Sequence, residues 1–470
     1  MFVGRQSEFI QIKNAITDTS KSQMIILYGR RRIGKSRLIK EAIKNEENIL
    51  FFEGIEGEPT SVQLDQFLND LSRQTKKVKL AAKNWREAFQ GLEEIILTGR
   101  WIIFIDELPW LAVEKTSLIA ELKLFWDRWS FKNPQLVLFL CGSVANFMVK
   151  HVVHSKALHN RKTLEIGLPP LTPQESALFI PQKGLREKAL LYMCFGGVPK
   201  YLEQIDPKQS IEKNINRLCF TRNGFFVEEF ETIFKEQFRS TRHYEAIVKV
   251  LSQGSCSLSD LSKKTQLEKG GGLKLYLNNL EIASFIKEYQ TFSFGRSTGS
   301  KTKTYKLIDP FLVFYFHFIK PNKKIIQNNT NLDFFKSISQ AKWNAFLGLQ
   351  FERFCEDSLI IILKQLDINL MDVKNFGPFF QQKTLSDNGV QLDLVIELNN
   401  GNIHLLEFKY YEKPAGLDIA KEMQSKIDRL NLSPNITIEK TLITMNGITK
   451  DLHKAKYFDH ILTLENLFPK

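Results

Sequence analysis

The 470-residue sequence predicts an α/β fold: a parallel sheet in its first third, a helical middle, and a second α/β domain at the C-terminus. Three observations predict it. From residue 24 to about 170, short β-branched or aromatic runs alternate with amphipathic segments, the pattern of strands buried beneath helices. From about 172 to 290 the periodicity becomes mostly helical, and "GSKTKTYKLI" then reads as a returning strand. Beyond the polar break "KPNKKIIQNNTN" (320–331), helix, hairpin and helix patterns follow one another. Taken in order, the first five strands are predicted at Met24 to Tyr28, Ile49 to Phe52, Trp101 to Ile105, Leu136 to Leu140 and Thr163 to Ile166. No internal repeat or low-complexity tract breaks the order.

Composition narrows the class. With 43% hydrophobic and 25% charged residues the chain is neither disordered nor fibrous. Its 65 basic against 52 acidic residues leave a formal charge of +13, which favours a polyanionic partner. Five scattered cysteines without CxxC spacing read as reduced thiols. "MFVGRQSEF" lacks a basic-then-apolar signal pattern, and no apolar run is long enough to cross a bilayer, so a cytoplasmic protein with no membrane contact is expected.

The first strand runs into "YGRRRIGKSRLI". Gly29, Gly34, Lys35 and Ser36 fit G-x-x-x-x-G-K-[ST] between a strand and a helix, the context of a phosphate-binding loop. Its backbone amides and helix N-terminus would cradle the phosphates, Lys35 would neutralise the β and γ oxygens, and Ser36 would bind Mg²⁺. Ile33 and Arg37 fall within the same loop, and Arg30, Arg31 and Arg32 either add anion contacts or form a solvated basic face. The strand in "WIIFIDELPWL" ends in Asp106 and Glu107, placing one carboxylate near the metal and the next where it can polarise water; capping a turn is the other reading. "LVLFLCGSVANF" ends a strand at Cys141, Gly142 and Ser143, where Ser143 can sense the γ-phosphate.

These stretches, with the opening "FVGR", "LHNRKT" (158–163) and "GGVPKYL" (196–202), resemble the archaeal-type ATPases related to AAA+ and signalling NTPases, which also occur in bacteria. The resemblance implies ATP as the nucleotide. It makes Arg161 the candidate arginine that meets the γ-phosphate, and it places Gly197 and Pro199 in a turn contacting the nucleotide region. Members usually carry glycine where Asn160 stands. The family's winged-helix segment and nuclease-like C-terminal domain would extend the resemblance over nearly the whole chain.

In the middle, two short helices precede "GGGLKLYLNNLEIASFIKEY", which reads as a recognition helix leading into a wing. Residues 231–330 hold 16 Lys/Arg against 8 Asp/Glu, so much of the positive excess gathers there. Lys274, Tyr276 and Asn278 are candidates for a nucleic-acid groove, and Arg296, Lys301 and Lys303 for phosphate contacts on the wing. A lid or partner surface for the ATPase is the rival reading.

The hairpin "VQLDLVIELNNGNIHLLEFKYY" carries Asp393, Glu407 and Lys409 as D-(x)n-ExK, the core pattern of restriction-endonuclease-like folds, with Glu352 in "GLQFERFCED" as a fourth candidate. Two carboxylates can hold Mg²⁺ while a lysine orients or activates water for phosphodiester cleavage. Strand alternation puts Glu407 and Lys409 on one face. A two-residue Asn-Gly turn would pair Asp393 with Phe408 and aim it away, whereas a three-residue Asn399-Asn400-Gly401 turn pairs it with Glu407; the nuclease reading requires that longer turn or a bulge. The expected organisation is a P-loop ATPase over 1–170, a helical lid over 171–235, a winged helix over 236–320 and a nuclease-like domain over 335–470. Two functions fit: an ATPase handling nucleic acid, DNA first, whose nucleotide state gates a Mg-dependent nuclease, or a nucleotide-controlled switch that only binds partners. A homo-oligomer stays open.

Overall fold

The computed structural model describes the chain apart from residues 1, 113–116, 144, 239, 295–302, 329–332, 382–388, 431, 433–435 and 470, and apart from the side chain at 145. Arg296 and Lys301, two of the wing candidates, lie outside the described residues. Two compact units emerge. One comprises Met1–Pro170 with the short pieces Ile233–Arg239 and Ile282–Ser284; the other comprises Leu171–Thr232, Ser240–Glu281 and Phe285–Lys470.

The first unit is built on a five-stranded parallel sheet. Its strands are β1 (Gln23–Tyr28), β2 (Ile49–Glu53), β3 (Trp101–Asp106), β4 (Leu136–Gly142) and β5 (Leu164–Gly167), in the spatial order β2-β3-β4-β1-β5. The central strands β1, β3 and β4 are nearly continuous apolar runs because helices cover both faces of the sheet. On one face Ile103, Ile105, Leu138 and Leu140 pack with Trp85, Phe89 and Phe125; on the other Ile25, Leu27, Phe104 and Phe139 pack with Leu38 and Ile39. Each strand lies within a residue or two of where its apolar run predicts it.

In the second unit, Leu171 and Gly197 meet backbone to backbone, Leu171 N donating to Gly197 O at 2.7 Å. A Cβ on Gly197 would stand 1.9 Å from the Leu171 carbonyl oxygen, so only glycine fits. Gly197→Ala should therefore destabilise this unit by about 2–3 kcal/mol, read as a shift of the denaturant midpoint. An unmoved midpoint would show the contact to be slack. The helices Arg242–Leu251, Leu258–Thr265 and Gly271–Ile282 accompany a small antiparallel sheet of β6 (Cys256–Ser257), β7 (Ile286–Gln290) and β8 (Lys303–Leu307), ordered β6-β8-β7.

The C-terminal sheet contains β9 (Val373–Gln381), β10 (Val390–Leu398), β11 (Ile403–Lys409), β12 (Ile438–Thr444) and β13 (His460–Leu462), ordered β13-β12-β11-β10-β9. The first three run antiparallel and the last pairings are parallel, which requires the crossover helix Asp418–Arg429 between β11 and β12. Ile419 and Met423 of that helix join the same core as Val395 and Leu405. All five cysteines are buried free thiols.

Candidate functional site

Parallel α/β sheets gather loops at the carboxyl ends of their strands, and the first candidate site forms there. After β1, Arg32 (φ +71°) and Gly34 (φ +88°) adopt left-handed backbone, the kind of turn that builds an anion-cradling nest ahead of the helix Lys35–Ile43. Lys35 is buried and its Nζ donates to Arg30 O at 3.0 Å. Asp106, buried at the end of β3, accepts the Glu107 N–H at 2.9 Å. Cys141 on β4 adjoins it: burial, and then the Asp106 carboxylate, push its thiol far up.

Glu107 is itself left-handed at φ +46°, which a residue with a Cβ holds only when its surroundings fix it. Ser143 supplies the fixing. Its Oγ donates to Glu107 Oε2 at 2.6 Å and its N–H to the same oxygen at 3.2 Å, while its carbonyl accepts from Gln237 Nε2 at 2.9 Å. The side chain expected to sense phosphate thus orients the candidate catalytic carboxylate. Ser36 and Asp106 offer hydroxyl and carboxylate oxygens, the hard donors that Mg²⁺ takes alongside water and phosphate.

Sequence reasoning missed three acidic neighbours. Glu53 ends β2 directly beside Asp106, and burial followed by that carboxylate raises its own pKa. Glu236 lies far along the chain yet ion-pairs with Arg31 at 2.8 Å, and Glu56 holds the same guanidinium at 2.9 Å. Arg31 is therefore committed to carboxylates, Arg30 is buried, and Arg37 stands exposed.

Arg161 requires a correction. Thr163, two residues on, donates its N–H to Met24 O near the start of β1, so Arg161 lies at the amino edge of the sheet. The phosphate loop follows the opposite end of this six-residue strand, about 20 Å away at the usual rise per residue. There Arg161 forms a two-pronged pair with Asp127, its Nη2 reaching Oδ2 at 2.9 Å. Asn160 takes φ +62°, a conformation asparagine tolerates better than most residues, which accounts for it in a glycine's place. Gly197 and Pro199 belong to the second unit.

The second candidate site lies on the C-terminal hairpin. Leu394 pairs with Leu406 and Glu397 with Ile403, the register of the three-residue turn closed by Gly401 at φ +89°. Asp393 lies just beyond the last of these pairs, where β10 shifts register against β9 between Leu392 and Val395, and Glu407 is the carboxylate that acts on it most strongly. Asp393 accepts the Phe408 N–H at 2.8 Å. Glu407 is 1% exposed, with Lys409 Nζ 3.1 Å from its Oε2 and Lys426 Nζ 2.7 Å from its Oε1. Glu422 approaches Lys409 at 3.3 Å and Lys426 at 3.1 Å. Lys426 and Glu422 were not foreseen; their i, i+4 spacing is that of an ordinary ion pair on an amphipathic helix.

Burial, then the Glu407 and Glu352 carboxylates, raise the Asp393 pKa to about 7. Burial also raises Glu352, which feels Lys306, Glu356, Lys409 and Glu407. Burial opposes the charge on Lys409, but Glu407, Asp393 and Glu422 outweigh it and raise its pKa, so it acts as a fixed cation rather than a proton acceptor. Because folding raises the Asp393 pKa, the protonated form favours the fold, and stability falls as pH climbs from about 4 to 7. Without divalent cation, Asp393→Asn should stabilise the chain by ~2–4 kcal/mol at pH 8 and by little at pH 4. Denaturant melts at both pH values check this; equal gains would show that the buried charge is not the cause.

Carboxylate oxygens suit Mg²⁺ here as well. Among the described residues, however, no three His, Cys, Asp or Glu side chains stand close enough to hold a metal.

In the middle region Lys274 and Asn278 are exposed and line an open pocket with Glu281, Glu288 and Lys303. Tyr276 departs from the expected groove: it packs on His243 and Tyr244, with centroids 5.2 and 5.0 Å away. Lys303 pairs with Glu288 at 2.6 Å, Lys306 with Glu356 at 2.7 Å, and Lys323 with Glu228 and Glu231 at 2.7 and 2.6 Å. Part of the local excess charge is thus balanced in place. No helix among the described residues is long and apolar enough to cross a membrane.

Comparison with known proteins gives separate matches for the two parts of the chain. Residues 2–205 match the family described as an ATPase domain predominantly from Archaea, and residues 315–425 match one described as archaeal and bacterial proteins of unknown function. An uncharacterized protein of Methanocaldococcus jannaschii is 28% identical over 367 residues, covering 77% of this chain and 78% of that protein. Among solved structures, the Walker-type ATPase of Pyrococcus abyssi aligns with 67% of this chain and 96% of its own at 20% identity and a TM-score of 0.47. The Aeropyrum pernix ORC2 protein, solved as ADPNP-ADP complexes, aligns with 69% of this chain and 94% of its own at 13% identity and a TM-score of 0.45. The match over the first 200 residues supports ATP binding and hydrolysis.

Proposed function

We propose that this protein couples ATP hydrolysis to the handling of nucleic acid, with DNA as the preferred polymer and a Mg-dependent nuclease-like domain at its C-terminus. The observation that supports the reading is the cluster at the hairpin, where the Glu407 carboxylate acts on Asp393 and Lys409 stands between Glu407 and Glu422. Converging charges of this kind repel or lose hydration unless a cation or a phosphate joins them. In the first unit Lys35 binds the terminal phosphates, Glu107 polarises the attacking water, and Ser36 with Asp106 holds Mg²⁺, which neutralises charge developing on the phosphates. In the second, Asp393 and Glu407 take a divalent cation, and cationic Lys409 orients the scissile phosphate. The domains we assign are a P-loop ATPase (1–170), a helical lid (171–235), a winged helix (236–320) and the nuclease-like domain (335–470). The order helix, strand, helix, helix, hairpin over 242–307 supports the winged helix.

A second reading is a nucleotide-controlled switch that binds partners without cutting, favoured by the two lysines that already neutralise Glu407. Incubation with several DNA and RNA forms, Mg²⁺ and ATP, following phosphate release and strand cleavage together, separates the two. Phosphate release with every polymer left intact favours the switch. If the winged helix meets DNA, Lys301→Glu with Lys303→Glu should weaken binding and flatten the log–log salt dependence by about 2. An unchanged slope would return this segment to the role of lid.

A further inference from the structure

Glu407 is a buried carboxylate whose two oxygens both face lysines, and the two lysines are anchored differently. Lys409 projects from β11 itself, two residues beyond Glu407, so its place is fixed by the strand. Lys426 reaches in from the helix Asp418–Arg429, with Nζ 2.7 Å from Glu407 Oε1. One turn earlier on that helix, the more exposed Glu422 already lies 3.1 Å from the same ammonium. Lys426 therefore has a second carboxylate ready to receive it. Glu407 Oε2, in contrast, is buried without a well-directed hydrogen bond, although Lys409 stands 3.1 Å away. A carboxylate this deep must be paired, and a divalent cation reaching it must displace whatever pairs it now.

We propose that Lys426 is the resident counter-ion of Glu407, holding the place of a divalent cation, and that metal binding requires its ammonium to swing to Glu422. This rests on the reading of Asp393 and Glu407 as a metal site. Lys426 is on this account a positioning residue: it keeps the site folded and neutral without metal, and it makes metal loading a competition.

The test titrates the full-length protein with Mn²⁺ alone, by calorimetry at pH 7.5 without nucleotide, taking Asp393→Asn as the reference for binding elsewhere. Lys426→Gln should bind Mn²⁺ about tenfold more tightly than the wild type, because a competing cation is gone. Lys426→Arg should restore the wild-type affinity. Glu422→Gln, which removes the receiving carboxylate, should bind more weakly; it decides the matter if Lys426→Gln does not fold. Unchanged or weaker binding by folded Lys426→Gln overturns the proposal, as does unchanged or tighter binding by Glu422→Gln when it alone can be measured. Strand cleavage is assayed on the same preparations. Cleavage by the wild type with no gain in Lys426→Gln sinks the counter-ion role and spares the nuclease, whereas tighter Mn²⁺ binding without cleavage does the reverse.

Discussion

Glu107→Gln is expected to bind ATP as the wild type does and to hydrolyse it about 10²–10⁴ times more slowly. The glutamine amide oxygen can still accept from Ser143, so the left-handed turn and the side-chain direction survive while the negative charge proposed to polarise water is lost. Lys35→Ala should act earlier, weakening nucleotide binding itself, since the buried ammonium is the loop's own counter-charge for phosphate. Phosphate release and a fluorescent-nucleotide titration distinguish the two defects. Turnover unchanged in both variants would remove the assignment of this loop as the hydrolytic site.

The other large effect belongs to the hairpin. Asp393→Ala and Lys409→Ala should each reduce metal-dependent strand cleavage by about 10²–10³-fold or more while ATP hydrolysis continues. Asp393 supplies a carboxylate on which Glu407 acts, and Lys409 the cation whose charge the surrounding acids secure. Both losses should appear in the rate with polymer in excess, and neither in phosphate release. Cleavage that persists in both variants would place the cutting chemistry elsewhere or in a contaminant.

The N-terminal sheet was legible because strands buried on both faces leave unbroken apolar runs, and because the glycines and lysine of the phosphate loop have few alternative uses. The hairpin was half legible. Its residue pattern named Asp393, Glu407 and Lys409, but two turns of different length fitted "NNG" equally well, and only the observed register decides which way Asp393 points. What escaped were partners distant in the chain. Glu236 and Gln237 follow Arg31 and Ser143 by many residues and become neighbours only through tertiary packing. Lys426 looked like any lysine on an amphipathic helix. Arg161 failed differently: the resemblance supplied a role, whereas the parallel register of β5 with β1 puts the residue at the amino end of the sheet, opposite the phosphate loop, where Asp127 engages it.

The turn at Asn399–Gly401 carries a consequence for strand alignment. Around it, Leu394, Val395 and Ile396 on β10 and Leu405 and Leu406 on β11 are all buried and apolar, so neither face of this pair is marked as the wrong one by its side chains. A hydrophobic pattern that does not discriminate between faces leaves the alignment to the loop. A two-residue Asn400-Gly401 turn in this same sequence would slip the pairing by one, set Asp393 opposite Phe408 and turn its carboxylate to the other side, while much of the core still found apolar neighbours. Shortening the loop by one residue would do less, because a two-residue connection between Leu398 and Asn402, already hydrogen-bonded at 2.9 Å, keeps the present pairing. The choice of turn, and not any side chain on the strands, therefore sets which face receives the Asp393 carboxylate.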